Sequence, residues 1–368
     1  MVYWLIIGVL IVIVCLIVYS FRRLHAKDSS TDISSTLITT GISLVISAFP
    51  GTKEIIASII ASVFSIFVSV KDNFVAILCG FILITLGLIL RKDIKDRVFV
   101  LNMFGIFVQK EISDAHNIKA LKLADFKVKE IIVDFVDLFN NSKVDEERNE
   151  LIVKKIIKQC EAFSNRSKDF KSCYTGMAPI PYTILAGTKL SDCNLKRFFE
   201  FKRSTNSYYE LKSKDRVHKH EILQVNYPQP INPKLNDVVV ALSITKRVQK
   251  ADLSQFEKLD IIDISINNPR DNVVETIEQL DDYGNTVLNA IEEIKLEYPQ
   301  IDTIHLVASI PSCISIKLGM LFALSNNRIP RIISYHFIQG NQPKYPFGIV
   351  VSDINSDDTG RLISIEGR

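Results

Sequence analysis

The same short phrase occurs twice in this chain. Residues 177–187 read MAPIPYTILAG and residues 309–319 read SIPSCISIKLG, so that a proline stands eight residues before a glycine in each copy. Each copy follows a short apolar run typical of a β-strand, SCYTG in the first case and IHLVA in the second. A strand that leads into a proline-initiated helix, present twice, predicts two related halves.

The sequence around each copy is also similar in the two halves. Strand-like runs precede and follow both copies: DRVFVLNMFG at 96–105 with NDVVVALSIT at 236–245, and RFFEFK at 197–202 with RIISYHF at 331–337. Helical spacing is predicted between the strands, at Val128, Ile132, Phe135 and Phe139 and at Val274, Ile277, Leu280, Val287, Ile291 and Ile294. Alternating strands and helices predict an α/β fold of two Rossmann-like halves, related by a pseudo-twofold axis.

The N-terminal region is too apolar for an ordinary soluble segment. Hydrophobic residues make up 47% of the chain, and predominantly apolar runs predict transmembrane helices at about 2–21, 54–70 and 74–90, with 33–50 as an interfacial or additional span. Basic residues follow the first and last of these runs, which places those flanks in the cytoplasm. The predicted domains are therefore a transmembrane region at 1–92 and two halves at 93–232 and 233–368.

One predicted span carries a stripe of small polar residues. Ser58, Ser62, Ser65 and Ser69 fall on one helical face. Two interpretations are open and compatible: close helix packing through small side chains, or a face that lines water in a pore when several copies assemble.

Several function classes lack their sequence signals. The net charge of +3 does not indicate a DNA or RNA duplex as partner, and the six cysteines form no C-x-x-C pair. The chain contains no G-x-G, no G-K-[ST], no H-E-x-x-H and no G-x-S-x-G. We therefore predict no catalytic residue, no metal and no cofactor, and a protein that is not an enzyme.

The two proline turns are candidate anion sites. Ala178 and Ile310, directly before the prolines, are poor helix caps, so amides at the helix starts are expected to remain available for a phosphate. Gly187 and Gly319 are expected to let helix and sheet approach closely. The alternative is that both turns are purely structural. The candidate binding residues are Gly176, Met177, Ala178, Pro179, Ser309, Ile310, Pro311 and Ser312.

The repeated segments also carry a family resemblance. VVVALSIT at 238–245, IHLVASIPSCISIKLGMLF at 304–322, RIPRIISYHF at 328–337 and MAPIPYTILAGTKLSD at 177–192 resemble the SAVED domain, over roughly residues 95–350. SAVED domains fuse two CARF-like, Rossmann-like units and bind cyclic oligonucleotides. A transmembrane region before such a sensor resembles the membrane effectors of bacterial CBASS anti-phage systems, although those are often described with two spans.

The resemblance implies a mechanism and its partners. A partner nucleotidyltransferase would make a cyclic di- or trinucleotide on infection, and the sensor would bind it and self-associate. The gathered transmembrane helices would then disrupt the lipid bilayer. The protein would be a multi-pass protein of the bacterial inner membrane with its sensor in the cytoplasm.

Further residues are candidates for contact with such a ligand. Ser243, Thr245 and Lys246 follow the first strand of the second half and are expected to contact phosphate. Tyr208, Tyr209, Tyr335 and Tyr345 either stack on bases or pack at a sheet edge. Two other functions remain open: a membrane-anchored CARF-like ring nuclease that degrades its ligand, and a constitutive channel or scaffold subunit.

Overall fold

The structure divides the chain into two compact units. It is a computed structural model that describes residues 30–47, 73–106, 111–139, 144–168, 170–202, 204–213, 220–228, 232, 234–325, 328–353 and 358–365. The first unit ends at Arg97 and also takes in 168–170, and the second holds Val98–Ser167 and Lys171–Arg368.

The first unit consists of two packed helices. Helix α1 is Ser30–Ser47 and helix α2 is Asn73–Asp96. Their backbones approach closely at Gly41, where an added β-carbon would lie 2.6 Å from the backbone oxygen of Gly80. Small residues at the contact therefore set how closely the two helices pack.

None of the described helices combines the length and the hydropathy of a membrane span. The predicted span at 74–90 is helical within α2 but does not meet that criterion, and 33–50 is largely helical as α1. The predicted spans at 2–21 and 54–70, with Ser58, Ser62, Ser65 and Ser69, lie outside the described residues.

The second unit holds two sheets. The first sheet has the order β2-β1-β3-β4-β5, and the second has β12-β11-β10-β9-β7-β8-β6. Their strands are β1 Arg97–Phe104, β2 Lys127–Asp134, β3 Lys171–Met177, β4 Leu195–Lys202, β5 Ser207–Glu210, β6 Gln224–Asn226, β7 Asp237–Ser243, β8 Ile261–Ser265, β9 Thr303–Ser309, β10 Arg331–His336, β11 Phe347–Ser352 and β12 Leu362–Ser364. The first sheet thus has the 2-1-3-4-5 order of a doubly wound α/β fold. The second sheet contains the same order when its strands β7 to β11 are numbered one to five along the chain.

Helices connect the strands of the second unit. They are α3 Ala115–Ala120, α4 Glu146–Ser167, α5 Ile180–Thr188, α6 Ile277–Glu297 and α7 Ser312–Ser325, with a 3-10 helix at Lys250–Phe256. Helix α6 shows why the pattern forms: Leu280, Tyr283 and Val287 are buried on one face, and the Thr276 hydroxyl caps its start by accepting from the Gln279 amide at 3.2 Å.

The central strands confirm the predicted α/β organisation. Strand β3 pairs in parallel with β1 and β4, and β9 pairs in parallel with β7 and β10. Strands β3 and β9 are buried along nearly their whole length, as expected for parallel strands covered on both faces. The predicted strand-like runs SCYTG and IHLVA lie within β3 and β9, respectively.

One predicted helix is wrong. Val128 and Ile132 belong to strand β2, in which Ile131 and Val133 are the buried residues. The helix of this region is α4, Glu146–Ser167, further along the chain. Short β-branched runs fit helical and strand spacing equally well, and here the sheet contact decides.

The second sheet begins before the predicted domain boundary. Strand β6 pairs antiparallel with β8, with Val225 opposite Ile264. Strand β6, Gln224–Asn226, thus belongs to the second sheet although it precedes residue 233.

The two halves share one core. A single buried cluster includes Tyr182 and Ile184 of α5 together with Ile314 and Ile316 of α7. Gly187 and Gly319 lie where these two helices meet. They permit a close approach of helix to helix, whereas the sequence predicted helix to sheet.

A cavity between the two halves

A cavity of about 450 Å³ lies where the two halves meet. Many of its lining residues lie in or just after the carboxyl-terminal parts of β3 and β4 in the first half and of β7, β9 and β10 in the second. This is the edge of a parallel sheet at which doubly wound folds bind ligands. The volume is within the range of small-molecule sites.

Most of the predicted ligand residues come together here. Pro179 and Pro311, from the two copies of the repeated phrase, line the same cavity. The predicted residues that line it are Gly176, Met177, Ala178, Pro179, Tyr209, Thr245, Lys246, Ser309, Ile310, Pro311, Ser312, Tyr335 and Tyr345. Their role in binding stays a prediction.

Ser243 and Tyr208 do not line the cavity. Ser243 is fully buried, and its hydroxyl oxygen accepts a hydrogen bond from the Val248 amide at 3.0 Å. Tyr208 is 5% exposed and packs with its ring 5.2 Å from that of Phe201. Their side chains lie outside the lining of the cavity, because a strand residue can face either side of its sheet.

The two helix starts are built alike. Pro179 caps α5 and its carbonyl accepts from the amide of Thr183 at 3.0 Å and from its hydroxyl at 3.2 Å. The carbonyl of Pro311 accepts from the amide and the hydroxyl of Ser315, both at 3.1 Å. The repeated phrase therefore encodes one turn, used twice.

The two helix starts differ in how they are capped. Helix α5 has no side-chain cap, as predicted. At α7, the Cys313 amide donates to the carboxyl oxygen Oε1 of Glu200 at 2.5 Å, and the hydroxyls of Tyr174 and Ser312 lie 2.6 Å apart. The prediction of an uncapped start is wrong for α7, because its cap comes from β4, far away in sequence.

Burial shifts the titration of the groups around this cap. Glu200 is 9% exposed, and burial raises the pKa of its carboxyl to about 7 despite hydrogen bonds from Cys313. Burial also raises the pKa values of Tyr174 and Tyr209, and burial with the nearby Glu200 raises that of the Cys313 thiol. These three groups are neutral at neutral pH.

The turns after β1 and β7 hold the strands to the repeated phrase. The amides of Gly105 and Ile106 donate to the Met177 carbonyl, each at 3.2 Å. In the second half, the amides of Ile244 and Thr245 donate to the Ser309 carbonyl, each at 2.9 Å. The backbone at the two sides of the cavity is thus fixed in the same way.

The charged side chains of the cavity have both signs. Lys246 is exposed. Arg247, which was not predicted from the sequence, places its Nη1 atom 3.5 Å from Oδ2 of Asp263, and its Nη2 atom donates to the Ile266 carbonyl at 3.1 Å. Asp252 and Asp271 also line the cavity. Among the described residues, no cluster of His, Cys, Asp and Glu side chains could hold a metal ion.

The aromatic side chains of the cavity divide into buried and exposed ones. Tyr335 and Tyr345 are each 3% exposed, and the Tyr335 hydroxyl lies 2.9 Å from Nδ1 of His305. Phe337 is 36% exposed, and Phe201 is partly exposed. The two phenylalanines, which were not predicted as ligand residues, therefore offer more ring surface to a ligand than the two tyrosines do. The sequence does indicate them, because they occupy equivalent positions at the ends of RFFEF and RIISYHF.

His336, another lining residue, is held in an aromatic setting. Its ring lies 5.1 Å from that of Phe139 and 5.5 Å from that of Phe347. Burial lowers the pKa of His336 to about 4. The imidazole is therefore neutral at neutral pH and adds no positive charge to the cavity.

A family model matches more than half of the chain. It covers residues 156–351 and is that of SAVED, the "SMODS-associated and fused to various effectors sensor domain". The matched residues include both copies of the repeated phrase and both helix starts of the cavity. No curated protein matches the chain in sequence.

Solved structures of one receptor from Acinetobacter baumannii are similar to the chain. They are Cap4 SAVED/CARF-domain containing receptors, each aligned over 83% of this chain. With 2'3'3'-cAAA the TM-score is 0.47 at 14% identity over 67% of that chain. With 3'3'3'-cAAA it is 0.48 at 13% over 67%, and without a named ligand it is 0.45 at 13% over 66%. Because these TM-scores lie below 0.5, the family of the chain is inferred from the family model alone.

Proposed function

The chain belongs to the SAVED family of sensor domains, and from that premise we propose that it binds a cyclic oligonucleotide in the cavity between its two halves. Binding there drives self-association of the sensor. Self-association in turn gathers the apolar N-terminal segments, which disrupt a bilayer. The protein acts as a membrane effector of a CBASS-type defence, at the bacterial inner membrane with its sensor in the cytoplasm, and a partner nucleotidyltransferase supplies the ligand.

The shared cavity carries this proposal. Pro179 and Pro311 begin two helices of equivalent build that open into one cavity. A ligand that repeats the same unit around a ring suits a site that repeats the same turn on two sides. The uncapped amides of α5 suit a phosphate.

The rim adds groups that suit nucleotides. Lys246 is exposed at the cavity and provides a positive charge for a phosphate. Phe201 and Phe337, one from each half, provide rings on which bases stack, and stacking tolerates any base. A polar and aromatic lining of this kind favours a nucleotide over a lipid or a peptide.

The membrane output is supported by the sequence. The apolar runs at 2–21 and 54–70 have about the length of spans, and basic residues such as Arg22 and Arg23 follow the first. A ligand shifts an assembly equilibrium only if it binds the assembled state more tightly. Bound ligand that orders the mouth of the cavity for a second copy would meet this condition.

The test uses purified full-length protein in dye-loaded liposomes of bacterial lipids. The probes are 2'3'3'-cAAA, 3'3'3'-cAAA and a panel of cyclic dinucleotides, with binding, dye release and recovery of intact ligand measured on the same samples. We expect one compound to bind, to release dye and to be recovered unchanged. Binding with hydrolysis of the ligand would identify a ring nuclease instead. Dye release without any ligand would identify a constitutive channel, and absence of binding by every compound would overturn the proposal.

A further inference from the structure

The cavity is lined by the buried carboxyl group of Glu200. A carboxylate would repel the phosphates of the proposed ligand, so this group needs an explanation. We propose that Glu200 is a specificity-determining residue of this site, which takes up a proton from solvent as the ligand binds and, as the neutral acid, donates a hydrogen bond to it. The inference rests on the proposed function, because it needs an anionic ligand in the cavity. The proton returns to solvent when the ligand leaves.

The geometry fixes the carboxyl group at the cavity. Glu200 lines the cavity from β4, and its Oε1 accepts from the Cys313 amide at the start of α7. The Cys313 thiol is its other hydrogen-bond partner. A protonated carboxyl keeps an accepting oxygen for the Cys313 amide and gains one O–H donor. The cap of α7 can therefore persist while the new donor serves a phosphate or base acceptor.

Within the part of the chain that the structure describes, no cation acts on this carboxyl from the elements packed against it. The titratable groups that face Glu200 are Tyr174 from β3, Tyr209 from β5 and Cys313 from α7, and burial raises the pKa of each. The other titratable side chains of the cavity are Lys246, Arg247, Asp252, Asp271, Tyr335, His336 and Tyr345. Burial is the first cause of the raised pKa of Glu200, about 7, and no cation contributes to it.

A ligand with several phosphates moves this equilibrium further. Near pH 7 the carboxyl is about half neutral, because its pKa is about 7. Phosphates brought into the cavity disfavour the carboxylate and favour the acid. By linkage, the apparent affinity then falls about fivefold from pH 7 to pH 8 and close to tenfold for each further unit, as one proton must be taken up per ligand bound.

The device belongs to one half only. His336 stands in β10 directly before Phe337, as Glu200 stands in β4 directly before Phe201. Pro181 takes in α5 the place that Cys313 takes in α7, and a proline has no amide for a carboxylate to accept. The second half therefore offers a neutral imidazole where the first offers a carboxyl, and the site distinguishes its two sides.

The experiment measures proton uptake directly. Full-length protein is titrated by calorimetry with 2'3'3'-cAAA, 3'3'3'-cAAA and the best-binding cyclic dinucleotide, at pH 6 and pH 8. Each titration is repeated in buffers of different ionisation enthalpy, which gives the number of protons bound. We expect close to one proton per ligand at pH 8, close to none at pH 6, and, with a further titration at pH 7, an affinity about fivefold weaker at pH 8 than at pH 7.

Three variants locate the proton. Glu200→Gln keeps an oxygen for the Cys313 amide and has nothing to titrate, so we expect no uptake and an affinity that does not fall between pH 7 and 8. His336→Asn is expected to keep the uptake. Glu161→Gln removes an exposed carboxyl on α4 and is the matched control, with the uptake and pH dependence of the unsubstituted protein.

The outcomes separate the two proposals. Ligand binding without proton uptake in the unsubstituted protein would overturn the role of Glu200 and leave the proposed function standing, even if Glu200→Gln failed to fold. Uptake that is lost in His336→Asn and kept in Glu200→Gln would also overturn it. If neither the unsubstituted protein nor Glu200→Gln bound any cyclic oligonucleotide between pH 6 and 8, the proposed function itself would fail.

Discussion

Gly187 and Gly319 meet where helices α5 and α7 cross. A β-carbon added to Gly319 would lie 2.8 Å from the Cα atom of Gly187 and 2.0 Å from the backbone oxygen of Ile184. A β-carbon added to Gly187 would lie 2.3 Å from the backbone oxygen of Ile316. Because the obstacles are backbone atoms, neither helix can give way locally, and this crossing holds the two helix starts of the cavity in place.

Gly187→Ala and Gly319→Ala are each expected to destabilise the protein. Overpacking at the crossing costs about 1–3 kcal/mol. Helix propensity alone would favour alanine by about 1 kcal/mol, so a loss would report the crossing itself. The measurement is chemical denaturation of the full chain followed by far-UV circular dichroism. Leu324→Ala, at an exposed position of α7, is the control and should change little. Unchanged stability in both glycine variants would contradict the packing described here.

The repeated phrase made much of the fold predictable. Its pattern can be written P-x3-[ST]-x3-G, at 179–187 and at 311–319. Each position has a local physical role: the proline carbonyl accepts from the hydroxyl one turn later, and the glycine permits the crossing. Local roles leave a pattern in sequence, so two halves and one shared cavity could be inferred without a structure.

The features that were missed depend on distant contacts. The apolar residues of strand β2 fit both the helical and the strand period, so their spacing alone predicts a helix, and pairing with β1 decides for a strand. The cap of α7 comes from Glu200, and nothing near Cys313 in the sequence indicates it. The sequence therefore predicts the backbone turns of the site, but it does not predict the carboxyl group that caps α7.

Lys246→Ala is expected to weaken binding of the active cyclic oligonucleotide by up to about fivefold. An exposed ammonium near a phosphate contributes about 1 kcal/mol or less, and its contribution is screened by salt. The measurement is the dissociation constant at two salt concentrations, and the variant should show the weaker salt dependence. Lys250→Ala is the matched control, since Lys250 is also exposed but does not line the cavity. Equal losses in both variants would point to a general charge effect.

Phe337→Ala is expected to weaken binding more than Lys246→Ala does. Loss of a base–aromatic stack costs about 1–3 kcal/mol, which corresponds to roughly 5- to 150-fold in affinity. Phe337→Tyr should restore most of the affinity, because it keeps the ring. Leu296→Ala removes an exposed apolar side chain of α6 outside the cavity and should have no effect. If the alanine variant bound as tightly as the unsubstituted protein, the ring would not be a stacking surface.

Acidification is expected to destabilise the protein through His336. The pKa of this imidazole is lowered from 6.5 to about 4 in the folded chain, because burial between Phe139 and Phe347 disfavours its charged form. A depressed folded pKa means that the unfolded chain binds more protons between pH 6.5 and pH 4. The stability contributed by His336 is thus fully present above pH 6.5 and is lost as pH falls toward 4, by about 1–2 kcal/mol at pH 5.

The contribution of His336 can be separated from that of Glu200, whose raised pKa acts in the opposite direction. The folded chain binds more protons at Glu200 between pH 4.5 and pH 7, so that contribution is present below pH 4.5 and is lost as pH rises through 7. Denaturation midpoints of the unsubstituted protein and of His336→Asn are therefore compared at pH 7 and pH 5, where Glu200 is common to both. We expect the variant to lose less stability on acidification. An equal loss in the two proteins would mean that His336 is not buried as a neutral imidazole, and that the cavity wall around Phe139 and Phe347 differs from the one described.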